Sequence, residues 1–211
     1  MKFDRSRFLL YAVTDRTWLK ERTLSSAVET ACDSGATLIQ LREKELSFDE
    51  FLSEALEIKK ITDKYGVPLI INDNVEVALR TDAAGVHVGQ NDADAESVRA
   101  RICGGRMLGV SVQTAEQAQR AQKAGADYLG VGAVFATSTK LDAGLVPLER
   151  LREICSSVSI PVVAIGGIGE CNVKELAGSG IAGISVVSAI FGSADIAGAT
   201  RRLKILAGGV V

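Results

Sequence analysis

The chain has little of what usually gives a function away. It carries four cysteines, three prolines and one histidine in 211 residues. Cys32, Cys103, Cys155 and Cys171 lie far apart, with no CxxC and no histidine cluster beside them, so a disulfide framework or a zinc site has little support. Charge of one sign is missing too. The 24 basic and 26 acidic residues nearly cancel, and no basic run offers a footprint for nucleic acid or a membrane surface. Long apolar runs are also lacking. Phe8 to Val13 stops at Asp15, too early for a secretory core. The longest uncharged stretch, Leu176 to Ala194, holds four glycines and four serines and reads as turn, strand and turn rather than a lipid-facing helix. The expectation is a soluble cytoplasmic protein.

What is present is ample apolar material. At 47% hydrophobic residues the chain is not disordered, and at this length it buries roughly 70% of the surface its unfolded form exposes. One domain, 1–211, is the default. Short β-branched runs alternate with amphipathic stretches from end to end. Strands are expected at Leu9–Asp15, Leu38–Lys44, Pro68–Asp73, Gly85–Gln90, Arg106–Val112, Tyr128–Phe135, Pro161–Ile168 and Gly183–Phe191. Helical patterns fall between them, at Thr23–Ser34, Phe48–Tyr65, Val75–Arg80, Ala95–Ile102, Ala115–Ala124, Pro147–Cys155, Asn172–Ala177 and, last, Ile196–Leu206. Ser47 with Glu50 and Thr114 with Gln117 have capping-box spacing, and Gly35, Gly66 and Gly125 sit where helices should stop. Eight strand–helix units, about 25 residues each, imply parallel neighbours and a closed (β/α)8 TIM barrel. An open doubly wound sheet would need fewer strands, and no GxGxxG follows the first one.

In such a barrel the active site sits at the C-terminal strand ends, and unusual polar residues gather there. Gln40, Arg42 and Lys44 alternate onto one side of strand 2, and two cations with an amide in a cavity call for an anionic ligand. A solvated surface strand is the bland alternative. Asp73 and Asp92 end neighbouring strands and together suggest Mg²⁺, which accepts a few carboxylates and completes its shell with phosphate oxygens; either alone could simply cap a helix. His87 points inward and fits a satisfied mouth residue as well as a catalytic one. Thr137, Ser138, Thr139 and Lys140 offer donors and a point charge to a phosphate, or form a polar surface loop. Gly166, Gly167 and Ser188, after strands 7 and 8, occupy the usual backbone phosphate position of the fold. Ser111 lacks the pattern of a nucleophile with a histidine and an acid. Two anion sites in one mouth, one of them cationic and metal-assisted, suit the joining of a diphosphate-activated molecule to a phosphorylated one with expulsion of pyrophosphate.

At these residues the chain resembles the thiamin phosphate synthase (thiamine-phosphate pyrophosphorylase) family. The stretches YAVTD, QLREK, IIND, GVHVGQND, LGVS, FATSTKLDAG, VVAIGGI and VVSAI carry the resemblance in order over nearly the whole length. It implies a transferase of thiamine biosynthesis that takes the diphosphate of hydroxymethylpyrimidine and the phosphate of hydroxyethylthiazole as its small-molecule partners. It also implies that the QLREK strand (Gln40, Leu41, Arg42, Glu43 and Lys44) with Asn72, Ser111 and Lys140 holds the pyrimidine diphosphate. Arg42, Ser111 and Lys140 then have catalytic roles, and Asp73 and Asp92 hold Mg²⁺. Thr137, Ser138, Thr139, Gly167, Val187 and Ser188 bind the thiazole phosphate. Family chemistry is dissociative: pyrophosphate leaves, a pyrimidine methylene cation forms, and the thiazole nitrogen captures it.

Two departures stand out: Ala136 where many relatives have proline, and Gln113 where many have histidine. The second counts against the related thiazole tautomerases, which use a histidine in that region, because glutamine does no acid–base work. Two further competitors remain. A Schiff-base aldolase would use Lys140 or Lys44 but leave the aspartates without a role, and a non-catalytic thiamin phosphate binding barrel would release no pyrophosphate. Lys140–Gly144 is a candidate lid, and apolar positions on barrel helices leave room for a homodimer.

Overall fold

The computed structural model of the chain describes residues 4–19, 21–90, 92–137 and 144–211. Eight strands pair in parallel, each with the next and the last with the first, into one closed barrel. They are β1 (Leu10–Val13), β2 (Leu38–Leu41), β3 (Leu69–Asn72), β4 (Gly85–Val88), β5 (Met107–Val112), β6 (Tyr128–Val131), β7 (Val162–Ile165) and β8 (Gly183–Val186). Crossovers run through α1 (Leu24–Asp33), α2 (Phe48–Lys64), α3 (Val75–Arg80), α4 (Ala95–Ile102), α5 (Ala115–Lys123) and α6 (Leu148–Ser157). A short α7 (Ser188–Phe191) and a closing α8 (Ile196–Gly208) follow β8.

Every expected strand is there, but most stop short of the expected C-terminal end. Past that point the chain stops pairing with its neighbours and bends into the loops that build the mouth. The longest shortfall is in β8, whose apolar tail Ser188–Phe191 is a helical turn. Ile190 and Phe191 bury equally well from a helix, and an apolar run alone does not distinguish the two. The helix expected at Asn172–Ala177 is a single 3₁₀ turn, Val173–Leu176, cut off by Gly178 and Gly180 in left-handed backbone.

The first capping box forms as the spacing implies and the second only by half, because the Gln117 side chain accepts from the Gln113 N–H rather than from Thr114. Ser47 and Glu50 make a reciprocal capping box, Thr114 accepts from the Gln117 amide, and Gly35, Gly66 and Gly125 adopt positive φ.

Strand alternation divides the core in two. Residues such as Ala12, Ile39, Leu41, Ile71, Val86 and Leu129 face the helices, where most of the apolar burial lies. Tyr11, Leu38, Ile70, Met107, Tyr128 and Val163 fill the barrel interior together with Phe8. This inner plug closes the N-terminal end and forms the floor beneath the mouth. The four cysteines are unpaired. Among the described residues no helix is long and apolar enough to cross a membrane.

Candidate active site

The C-terminal strand ends open onto a cavity of about 510 Å³. The structure brings Gln40, Arg42, Lys44, Asn72, Asp73, Asp92, Ser111, Thr137, Gly167, Val187 and Ser188 to its wall. Strand alternation explains the first three. The same alternation turns Leu41 and Glu43 away from the cavity. Leu41 is fully buried against the helices. Glu43 accepts from Arg16 Nε at 2.8 Å, and Arg16 also pairs with Glu54. Burial pushes the Glu43 carboxyl up to about 7; Arg16 opposes the rise and the neighbouring Glu54 adds to it. Those two QLREK residues therefore hold the strand in place from behind. Ser138, Thr139 and Lys140, with most of the lid candidate, lie outside the described residues.

One rim of the mouth is charged. Lys44 Nζ lies 2.5 Å from Asp73 Oδ2, while Asn72 Nδ2 donates to Asp73 Oδ1 at 2.8 Å. Arg42 stands 3.7 Å from Asp15. Asp92 Oδ2 accepts from the Gly89 amide at 2.8 Å. Asp73 has a φ of +60°, where aspartate is tolerated at some cost, and its N–H donates to the His87 carbonyl at 2.9 Å. Its carboxyl is held above the usual range, chiefly by burial and further by Asp92, with Lys44 working the other way. Among the described cavity residues, two cations (Arg42 and Lys44) face three carboxylates (Asp15, Asp73 and Asp92). Such a rim carries one formal negative charge in excess.

The opposite rim is built from backbone. Gly166 and Gly167 take positive φ and turn β7 under the β6 loop, whose Phe135 N–H donates to the Gly166 carbonyl at 3.0 Å. A Cβ at Gly167 would collide with the Ala136 carbonyl, so only glycine fits there. Asn172 Nδ2 fixes the turn by donating to the Gly167 carbonyl at 2.8 Å. Thr137 and the start of α7 at Ser188 complete this side. Between the rims, Gln113 Nε2 donates to the carbonyls of Gly132 at 3.1 Å and Gly144 at 3.2 Å, so the glutamine ties two loops together.

The floor contains a feature that the sequence reading missed. Gln40 Nε2 meets Tyr11 Oη at 2.6 Å, Tyr11 Oη meets Tyr128 Oη at 2.8 Å, and Tyr128 Oη meets His87 Nδ1 at 3.0 Å. His87 Nε2 in turn meets Ser111 Oγ at 2.9 Å. Burial lowers the His87 pKa to about 4, against a smaller opposing pull from Asp92, so the ring is neutral at pH 7. Register makes the chain possible. His87, Gly109 and Tyr128 are level across β4, β5 and β6, and the bare Gly109 lets the two side chains meet over it. Ser185 Oγ is also buried at the cavity wall with no hydrogen-bond partner among the described residues. The sequence pattern assigns no role to Tyr11 or Tyr128; a tyrosine on each of two barrel strands is the one signal it offers.

Among the described residues, no three histidine, cysteine, aspartate or glutamate side chains form a metal cage. The carboxylates nearest to that role are the Asp73–Asp92 pair.

Comparison with known proteins agrees with the geometry. The family model described as thiamine monophosphate synthase matches residues 10–190. The thiamine-phosphate synthase of Clostridium beijerinckii is 50% identical over 197 residues, covering 93% of this chain and 94% of that protein. That of Ruminiclostridium cellulolyticum is 52% identical over 196 residues, 93% of each. The thiamine phosphate pyrophosphorylase structure from Pyrococcus furiosus superposes with a TM-score of 0.91 at 39% identity and 98% coverage of both chains. The chain thus belongs to the thiamine monophosphate synthase family and is a transferase.

Proposed function

We propose that the enzyme joins hydroxymethylpyrimidine diphosphate to hydroxyethylthiazole phosphate, giving thiamin phosphate and pyrophosphate. The observation that carries this reading is one cavity with two unlike rims, one lined by charged side chains and one by glycine backbone and hydroxyls. Arg42 and Lys44 line the cavity just beyond the end of β2, where they would meet a diphosphate, with Asn72 and Ser111 also on its wall. Thr137, Gly167, Val187 and Ser188 offer a backbone-rich seat for a monophosphate across the cavity. Ser138, Thr139 and Lys140 belong to the same assignment through the family motif.

The donor set suits Mg²⁺. Asp73 and Asp92 are hard oxygen ligands close enough to oppose each other's charge, and a rim that is net negative does not hold a diphosphate without a cation. When bound there, Mg²⁺ would neutralise the charge that gathers on the departing pyrophosphate. Arg42 and Lys44 do the same from the protein side, and Lys44 exchanges its Asp73 contact for phosphate oxygens as the substrate arrives. The carbon–oxygen bond to the diphosphate breaks first, leaving a pyrimidine methylene cation. The thiazole nitrogen, held across the cavity by its phosphate, then donates its electron pair to that carbon. No proton needs to move and no protein nucleophile is used, so catalysis rests on placing two substrates and stabilising one leaving group. Lys44, ion-paired at the half-exposed mouth, is not the apolar, desolvated amine that Schiff-base chemistry requires.

The test is pyrophosphate release from the two substrates with Mg²⁺ and with chelator. Release should require both substrates and the metal, and should collapse in Asp73→Asn and Asp92→Asn. Release that is indifferent to chelator would remove the metal from the account; no release from folded protein would remove the reaction.

A further inference from the structure

We infer that Tyr11, Tyr128 and His87 are positioning residues that fix the direction of the Ser111 hydroxyl, so that it points its hydrogen into the cavity. The argument is a count of hydrogens along the buried chain Gln40–Tyr11–Tyr128–His87–Ser111. The Gln40 Nε2 amide has only hydrogens to give, so Tyr11 Oη accepts from it. The single hydrogen of Tyr11 then donates to Tyr128 Oη, and that of Tyr128 donates to His87 Nδ1, which must be bare. A neutral ring with a bare Nδ1 carries its hydrogen on Nε2 and donates it to Ser111 Oγ. The Ser111 hydrogen is left over, and the cavity is where it goes.

With Gln40 presenting Nε2 to Tyr11, the reverse order fails at that end. With hydrogen on His87 Nδ1, Tyr128 would have to donate to Tyr11, and the Tyr11 hydrogen would meet the amide hydrogens of Gln40. Tyr11 and Tyr128 are 2% and 0% exposed, so water cannot relieve that conflict. Aligned hydroxyls also polarise one another, which strengthens the terminal Ser111 donor. Gly109 is part of the device, since a side chain there would separate His87 from Tyr128. On the proposed function, the Ser111 hydrogen meets an acceptor atom of the pyrimidine diphosphate, and a Ser111 turned the other way would present a lone pair to that atom.

Because His87 is the only histidine in the chain, nitrogen NMR of the imidazole reads the tautomer without assignment. The unaltered protein at neutral pH should show a bare Nδ1 and a protonated Nε2. In Tyr128→Phe the ring loses the donor that selects this form, so its nitrogens should shift toward a mixture of tautomers. At the same time kcat should fall about tenfold, with KM for the thiazole phosphate held within about twofold, the signature of a misdirected group rather than a lost binding surface. A protonated Nδ1 in the unaltered protein would overturn the inference, and so would a Tyr128→Phe enzyme with unchanged kcat. Absence of turnover in the unaltered enzyme would count against the proposed reaction instead, and the imidazole spectrum would still decide the direction of the chain.

Discussion

Gly109→Ala should be among the most damaging single-methyl changes available in this barrel. A Cβ at this position would fall well inside contact distance of Tyr128 Cζ and Oη and of His87 Nδ1. Tyr128 has no room to retreat. Tyr128 is fully buried, lies 4.9 Å from the Phe8 ring and is hydrogen-bonded to Tyr11. Overpacking a filled core costs about 1–3 kcal/mol, and the upper end applies where two rings must both move. Separating His87 from Tyr128 adds about 1 kcal/mol for a buried hydrogen bond. The expected loss is therefore about 3–4 kcal/mol. Gly130, on the next strand, is the internal control. There an added Cβ would sit 3.1 Å from His87 Cε1, so a shift of a few tenths of an ångström accommodates it. Gly130→Ala should cost about 1 kcal/mol. Urea or guanidinium unfolding of both variants measures the difference. A Gly109→Ala protein within about 1 kcal/mol of the parent would refute the claim that the barrel floor is a locked array of rings.

Two pH effects follow from the buried titratable groups. His87 binds a proton less readily when folded (about 4) than when unfolded (6.5), so stability is complete above pH 6.5 and declines as pH falls toward 4. The decline due to this residue is about 3 kcal/mol; unfolding curves for His87→Asn should lack it, and an unchanged pH slope in that variant would disprove the assignment. Glu43 behaves oppositely: its folded pKa, about 7, is above the ordinary 4.5, so the native state loses stability as pH rises between those values. Glu43→Gln mimics the protonated form and should stabilise the protein at pH 8 by about 1–2 kcal/mol, allowing for solvent that reaches the pair past half-exposed Arg16. A lower midpoint for that variant in thermal unfolding at pH 8 would contradict the reading.

Much of the barrel was legible because each strand is a compact β-branched run bounded by turn residues. What the pattern could not supply was where pairing stops: Arg42 to Lys44 continue the alternation of β2 after its ladder has ended at Leu41. The charged rim was legible for a related reason, since alternation alone puts Gln40, Arg42 and Lys44 on one face. Applied consistently, the same rule excludes Leu41 and Glu43, which the motif had drawn in. The hydrogen-bonded floor was not legible. Tyr11 and Tyr128 are 117 positions apart, and their meeting depends on barrel closure and on a missing side chain at Gly109. Neither follows from local propensity.

The central claim is that one mouth holds two anions at opposite rims. A crystal structure with thiamin phosphate, pyrophosphate and Mg²⁺ tests it most directly. Pyrophosphate should lie against Arg42 and Lys44 with the metal on Asp73 and Asp92, and the ester phosphate should rest on Thr137, Gly167 and Ser188. Pyrophosphate on the glycine rim, or a metal bound away from both aspartates, would contradict the account.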